Sequence, residues 1–300
     1  MSYRSGFIAI IGRPNVGKST FLNFVLGQKV AIVSDKPQTT RNRIMGVHHL
    51  AEGQMIFFDT PGIHKAKGHL NTRMVQAAFA SLREVDLILL FVEPPVEWTT
   101  QEHLILERLA GVSTPKILVI NKIDRIHSNA LIPLLDHHAR NPLFQVIVPI
   151  SAKTGDNVDR LLSIILPLLP EGDPLFPEET VTDQPIRFLA AEMIREHVFQ
   201  KTRNEIPYAV AVKIETFTEE AAIIRIRATL FVERASQKGI LIGAHGGTLK
   251  QIGQAAREAI EALLGARVFL EMWVKVRKEW REDPTFLKEV GYGGTQAPAA

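Results

Sequence analysis

The feature that most restricts this chain is a short segment near its start, Gly12-Arg13-Pro14-Asn15-Val16-Gly17-Lys18-Ser19, set between an apolar run at 7–11 and helical apolar spacing at 20–26. Glycine, four residues, then Gly-Lys-Ser suits one local geometry, a strand ending in a tight loop that opens directly into a helix. The glycines let the backbone curl so that successive N–H groups point inward, and the helix N-terminus adds partial positive charge. The loop is therefore a cradle for phosphate oxygens. Lys18 is placed to reach terminal phosphates and the Ser19 hydroxyl to ligate a divalent cation, and Thr20 is taken with them as a nucleotide-binding residue.

The rest of the first half fits a fold that can carry such a loop. Apolar strand-like runs at 7–11, 44–50, 54–59, 86–93, 116–121 and 144–150 alternate with helical patterns at 20–26, 70–82, 101–109, 131–138 and 158–169. Alternation of this kind predicts an α/β fold with a doubly wound, mostly parallel six-stranded sheet, whose ligands bind beyond the carboxyl ends of the strands. At 300 residues and 46% hydrophobic, the chain has material for two cores. Prolines 167, 170, 174 and 177, with Gly172 and an acidic group, break both periodicities and predict a linker at 173–184, between a first domain at 1–172 and a second at 185–300. There is no cysteine, which excludes disulfides, thiolate metal sites and a cysteine nucleophile. The histidines show no metal-ligand spacing. No apolar run reaches the ~20 residues needed to span a bilayer, and the start does not read as a signal peptide; a cytoplasmic protein is expected.

Three further segments stand at the ends of expected strands. Asp59-Thr60-Pro61-Gly62 puts a carboxylate where it can hold a metal-bound water and a glycine N–H where it can meet a γ-phosphate. In Asn121-Lys122-Ile123-Asp124 the Asp124 carboxylate can accept from the ring N–H and the exocyclic amine of guanine, donors that adenine lacks there. Ser151-Ala152-Lys153 offers a backbone N–H to guanine O6 and a lysine stem along the base. Together the four segments resemble the translation-factor-related class of P-loop GTPases. The resemblance implies GTP or GDP with Mg²⁺ as ligands, Lys18, Thr40, Asp59 and Gly62 as the catalytic set, and Ser19, Thr40 and, through water, Asp59 around the metal. The loop at 34–43 corresponds to the first switch; family spacing favours Thr40 over Thr39. Ile63 stands where related enzymes carry a glutamine that orients the attacking water. A hydrocarbon cannot do so, and slow intrinsic hydrolysis follows. Asn15 matches an asparagine that holds K⁺ in related GTPases, and it equally suits a loop-shaping role.

The second half reads differently: helix 186–198, strands 208–217 and 221–232, helix 237–242, the loop Gly243-Ala244-His245-Gly246, helix 248–264, strand 267–277, and a tail at 293–300 expected to be disordered. A lone G-x-x-G is weak, but helix, G-x-x-G, helix, strand after an α-β-β half resembles a KH domain, whose loop clamps a nucleic-acid backbone. Lys238, Lys250 and Arg257 are candidates to neutralise phosphates, with Lys275 and Arg277 in a basic run on the last strand. Phe269, Met272 and Trp273 are candidates to stack on bases or to be buried. Charge adds little: residues 1–184 are balanced, and the net +3 falls on 185–300. The whole arrangement resembles the Era-like family of bacterial GTPases. That resemblance implies a monomer that binds the 3′ end of 16S ribosomal RNA, acts in small ribosomal subunit assembly, and associates loosely with the inner face of the cell membrane. A signalling GTPase with a protein-binding second domain, and a P-loop ATPase or small-molecule kinase, remain as rival readings.

Overall fold

In the computed structural model, residues 2–63, 68–82, 84–94 and 98–292 are described, so the tail at 293–300 lies outside the described residues. The chain forms two compact units. The first contains strands β1 (Arg4–Gly12), β2 (Ile44–Leu50), β3 (Gly53–Asp59), β4 (Leu87–Val92), β5 (Lys116–Ile120) and β6 (Val146–Pro149). Its helices are α1 (Lys18–Leu26), α2 (His69–Ala80), α3 (Thr100–Ala110), α4 (Ser128–Ala139) and α5 (Val158–Ile165). The sheet order is β2-β3-β1-β4-β5-β6, parallel except where β2 runs antiparallel to β3 with Ile44 opposite Asp59. Alternate residues of β1 enter different cores. Ile8 and Ile10 pack with Phe21 and Leu22 of α1 and Leu161 of α5, whereas Ala9 and Ile11 pack with Ala78 of α2 and Ile105 and Leu109 of α3. Helices thus cover both faces, which is why strands such as Leu87–Val92 read as unbroken apolar runs.

Strand order reverses about β1: β3 and β2 lie to one side, β4 to β6 to the other. The loop that follows β1 therefore opens at the topological switch point, the position where open α/β sheets bind ligands. The helical pattern expected through residue 169 ends at Ile165, then continues as a 3-10 turn over Leu166–Leu168 because Pro167 cannot extend the α-helix. The proline-rich segment is not a free spacer. Leu175 and Phe176 N–H groups donate to Gln54 Oε1, Val47 N–H donates to Val181 O, and Thr182 Oγ1 donates to Met45 O.

The second unit comprises Ile32–Thr39, the chain around the first turn of α2 as far as Arg73, and the chain from Gln184 onward. Its elements are α6 (Ile186–Lys201), β7 (Ala211–Glu219), β8 (Ile224–Val232), α7 (Ala235–Ile242), α8 (Gly247–Leu264), β9 (Val268–Val276) and α9 (Pro284–Glu289). β7 and β8 are antiparallel, and β9 joins β8 in parallel. Ile226, Ala228, Leu230 and Val232 of β8 face a core with Met193 and Ile194 of α6 and Ile252, Ala256 and Ile260 of α8. Met272 packs on this core as well, while Phe269 and Trp273 of β9 are exposed. Only the latter two are thus open to a base. The basic run also resolves differently from expectation. Trp280 is fully buried with its Nε1 donating to Ala209 O, Arg277 pairs with Asp283 at 2.7 Å and lies over the Phe286 ring, and Arg281 pairs with Glu233. No helix among the described residues is long and apolar enough to cross a membrane.

Candidate nucleotide pocket and nucleic-acid loop

The phosphate loop is built from β1 into α1 as expected, with Gly17 in the left-handed region as the residue before the first helical turn. Lys18 is almost wholly buried, and its ammonium donates to Arg13 O at 2.9 Å and Gly12 O at 3.3 Å. Burial lowers its pKa to about 8, with Asp59 acting in the opposite sense. Asp59, also buried, is raised to about 6 by desolvation, which Lys18, the Ser19 hydroxyl and the Thr60 N–H counter. Cation and carboxylate both sit where charge is costly, so each is held by the other and by the groups around it.

Three oxygens converge beside the lysine. Ser19 Oγ donates to Asp59 Oδ2 at 2.5 Å and lies 2.9 Å from Thr40 Oγ1. Thr39 is turned away, its hydroxyl donating to Lys36 O. Asp59 Oδ1 is buried and has no hydrogen-bond partner among the described residues. Two hydroxyls and a carboxylate, all hard oxygen donors, fit Mg²⁺ with its retained waters, and the orphaned Oδ1 is suited to accept from one of those waters. Among the described residues no group of three or more His, Cys, Asp or Glu side chains could hold a metal, so a divalent ion here would draw on the Asp59 carboxylate together with hydroxyls and ligand phosphates. Gly62 comes against the phosphate loop so closely that a Cβ on it would stand 2.5 Å from Pro14 N. Thr60 is fixed below by its hydroxyl, which donates to Ile10 O.

The base end is tied to the phosphate end by one buried side chain. Asn121 Nδ2 donates to Val16 O at 2.7 Å, and its Oδ1 accepts from Ala152 N–H at 2.9 Å. Asp124 is exposed, with one carboxylate oxygen accepting from buried Ser151 Oγ at 2.7 Å. That bond turns the carboxylate without closing it off.

Several expected site residues are placed otherwise. Ile63 is fully buried in the core with Ala9 and Leu90, and its N–H donates to Gly12 O, so neither its side chain nor its amide faces a ligand. The Arg13 side chain pairs with Glu102 of α3 at 2.9 Å and leaves only backbone for phosphate. Lys122 pairs with Glu93. Asn121 spends its side chain on Val16 O and Ala152 N–H, and that N–H is thereby taken up. Their role is to hold loops, which sequence spacing alone does not reveal.

In the second unit the glycine loop forms a 3-10 turn, Ala244–Gly246, between α7 and α8. Gly243 has φ 74° and ψ 177°, a region essentially reserved for glycine, and a Cβ there would meet Thr248 Oγ1 at 2.2 Å. At Gly246 a Cβ would meet nothing within 4 Å, so open space lies over that backbone. Ala244, His245 and Lys250 are exposed, and Lys238 is half-buried. Arg257 pairs with Glu261 at 3.2 Å, and Arg277 with Asp283 as described above, so each of these two partly exposed guanidinium groups already has a carboxylate partner.

A groove that cradles phosphates at one end and presents a fixed carboxylate at the other addresses both ends of a guanine nucleotide, so the class is a P-loop GTPase, here carrying an α-β-β-α-α-β unit of KH type. Family models agree on both parts, with "50S ribosome-binding GTPase" matching residues 7–122 and "KH domain" matching 205–281. The chain is 52% identical over 292 residues to the GTPase Era of Geobacter metallireducens, covering 97% of this chain and 98% of that protein. It is 53% identical to the GTPase Era of Geotalea uraniireducens over 97% and 98%. The chain belongs to the Era family of GTPases. Among solved structures it is similar to Era in complex with MgGDPNP and nucleotides 1506–1542 of 16S ribosomal RNA, at TM-score 0.94 and 43% identity, covering 97% of this chain and all of that one. A variant of Aquifex aeolicus Era bound to GDP and aluminium fluoride matches at TM-score 0.93 and 44% identity, again over 97% and 100%.

Proposed function

We propose that this GTPase binds GTP and GDP with Mg²⁺, hydrolyses GTP slowly on its own, and uses its KH unit to hold the 3′ end of 16S ribosomal RNA during assembly of the small ribosomal subunit. Nucleotide chemistry is assigned to 1–172 and RNA binding to 185–300. The observation that carries the reading is the Asn121 tether, which fixes the base loop and the phosphate loop at one separation through two buried hydrogen bonds. The Era structure with MgGDPNP and 16S RNA supports the ligand and partner.

In this scheme the main-chain amides of the loop from Gly12 to Ser19 hold the phosphates, Lys18 exchanges its bonds to the loop carbonyls for phosphate oxygens, and Asp124 selects guanine by accepting from both of its edge donors. Ser19, Thr40 and the water-accepting Asp59 hold Mg²⁺, which supplies charge neutralisation at the phosphates when bound. The Gly62 N–H serves the γ-phosphate. No side chain at position 63 orients water, because Ile63 lies in the core. We assign part of the missing charge to K⁺ held with the help of Asn15, whose left-handed backbone turns it within the phosphate loop. Faster turnover in potassium than in sodium buffer is expected, and equal rates remove that ion from the scheme. For the reading as a whole, calorimetry should give heat with Mg·GTP and Mg·GDP and none with Mg·ATP; comparable binding of ATP would return the pocket to the ATPase or kinase class. RNA affinity that differs between the GTP and GDP forms is the second expectation, since a ligand shifts a switch only if it binds the two states unequally.

A further inference from the structure

Helix α3 turns one face into the core of the first unit, and Glu102, Ile105 and Leu109 are its buried residues. Ile105 and Leu109 suit that place, packed with Ala9, Ile11 and Ile63. A glutamate in the same stripe does not, because a buried carboxylate is costly unless other groups satisfy it. Glu102 has two such groups. Its Oε2 accepts at 2.8 Å from the N–H of Thr99, just before the first turn of the helix, where the partial positive charge of the terminus favours an anion. Its Oε1 lies 2.9 Å from Nε of Arg13 in the phosphate loop. The Glu102 side chain is only 3% exposed, and the Arg13 Nε–H is buried and makes no hydrogen bond among the described residues, so charge is what holds this pair.

Arg13 sits where the loop has little freedom left. Its carbonyl accepts from the Lys18 ammonium at 2.9 Å. The next residue, Pro14, has its φ fixed by its ring, and Gly62 comes so near that a Cβ on it would stand 2.6 Å from Pro14 Cα. With Pro14 confined in this way, the planar Arg13–Pro14 peptide turns chiefly by rotation at Arg13 itself, and the ion pair to Glu102 opposes that rotation. All of these residues belong to the first unit. We infer that Glu102 is a positioning residue for the phosphate loop: from α3 it holds the Arg13 segment in the shape that receives the β-phosphate of a guanine nucleotide, and it takes no part in reading the base. The inference rests on the nucleotide pocket proposed above and adds a residue that lies outside every nucleotide-binding motif.

The test measures the affinity of the full chain, with Mg²⁺, for GDP, GMP and inosine diphosphate by competition against a fluorescent GDP. The ratio of GDP to GMP affinity reports the hold on the β-phosphate. The ratio of GDP to inosine diphosphate, which lacks the exocyclic amine, reports base reading. Glu102→Gln keeps an acceptor for the Thr99 N–H and removes the charge that faces Arg13. In this variant the GDP-to-GMP ratio should fall about fivefold, the upper end for one partly exposed ion pair, while the GDP-to-inosine-diphosphate ratio stays within about twofold. Glu93→Gln, which removes the partner of Lys122 in the base motif, is the comparator and should leave the GDP-to-GMP ratio within about twofold. If Glu102→Gln does not fold, Arg13→Gln, on the partly exposed side of the pair, decides the matter by a fall in the same ratio. An unchanged GDP-to-GMP ratio in a folded variant, an equal fall in both ratios, or an equal fall in Glu93→Gln overturns the assignment. A wild-type chain that binds no guanine nucleotide overturns the pocket itself, and this inference with it.

Discussion

The two units place their functional groups in opposite ways. In the first, Lys18, Asp59, Asn121 and Ser151 are buried and bonded to one another's loops. In the second, Ala244, His245 and Lys250 stand exposed on a turn whose shape is set by glycine. A small ligand of fixed shape is met by side chains that also hold the fold, whereas an extended backbone is met by a turn that leaves room. Substitutions in the pocket should therefore cost stability and binding together, and substitutions at the glycine turn should separate the two.

The largest effect is expected for Asn121→Ala, which strips partners from the buried Val16 carbonyl and the buried Ala152 N–H. At about 1–3 kcal/mol for each unsatisfied group, urea unfolding should show a loss of about 2–6 kcal/mol, with guanine nucleotide affinity falling alongside. Stability within about 0.5 kcal/mol of wild type would mean that the tether is not structural. Next comes Gly62→Ala, because the added methyl meets loop backbone that cannot yield cheaply. Single-turnover hydrolysis should slow by about 100-fold, as for other displacements of this size at a reacting centre, with GDP binding changed far less; an unchanged rate would detach Gly62 from the chemistry.

At the glycine turn the same substitution should behave differently at its two ends. Gly243→Ala adds strain and a clash with Thr248, and should destabilise by about 1–3 kcal/mol. Gly246→Ala meets open space, so the cost is only about 1 kcal/mol of left-handed strain. Yet it fills the room where a phosphate would approach, and should weaken RNA binding in a gel-shift titration out of proportion to that cost. The smallest expected difference is between two cations. Lys250→Gln should reduce the slope of log affinity for RNA against log salt by about one, while Arg277→Gln, already committed to Asp283, should leave the slope unchanged. Equal slopes for both variants would place Arg277 back on the RNA.

The first unit was largely legible in the sequence because its chemistry and its punctuation coincide: each motif stands where a strand ends, and every expected strand from β1 to β6 appears within a few residues. What escaped was pairwise. No spacing rule shows that Arg13 will find Glu102, that Lys122 will find Glu93, or that Ile63 will turn into the core, since those depend on which neighbours tertiary packing supplies. In the second unit the α-β-β-α-α-β order was readable, but α9 was not recognised. Asp283-Pro284 did carry its signal, an N-cap carboxylate accepting from Thr285 and Phe286 N–H groups followed by proline at the first helical position.

Base selection by Asp124 tests the account most directly. The structure gives that residue one bond, from Ser151, and leaves the rest of its carboxylate for guanine. Titration of Asp124→Asn with GTP and with xanthosine triphosphate, both with Mg²⁺, should show affinity transferred from the former to the latter, because an amide can donate to the xanthine oxygen that replaces the guanine amine. A variant that keeps its guanine preference, with wild-type folding, would show that the base is not read at Asp124 and that the pocket is not the one described.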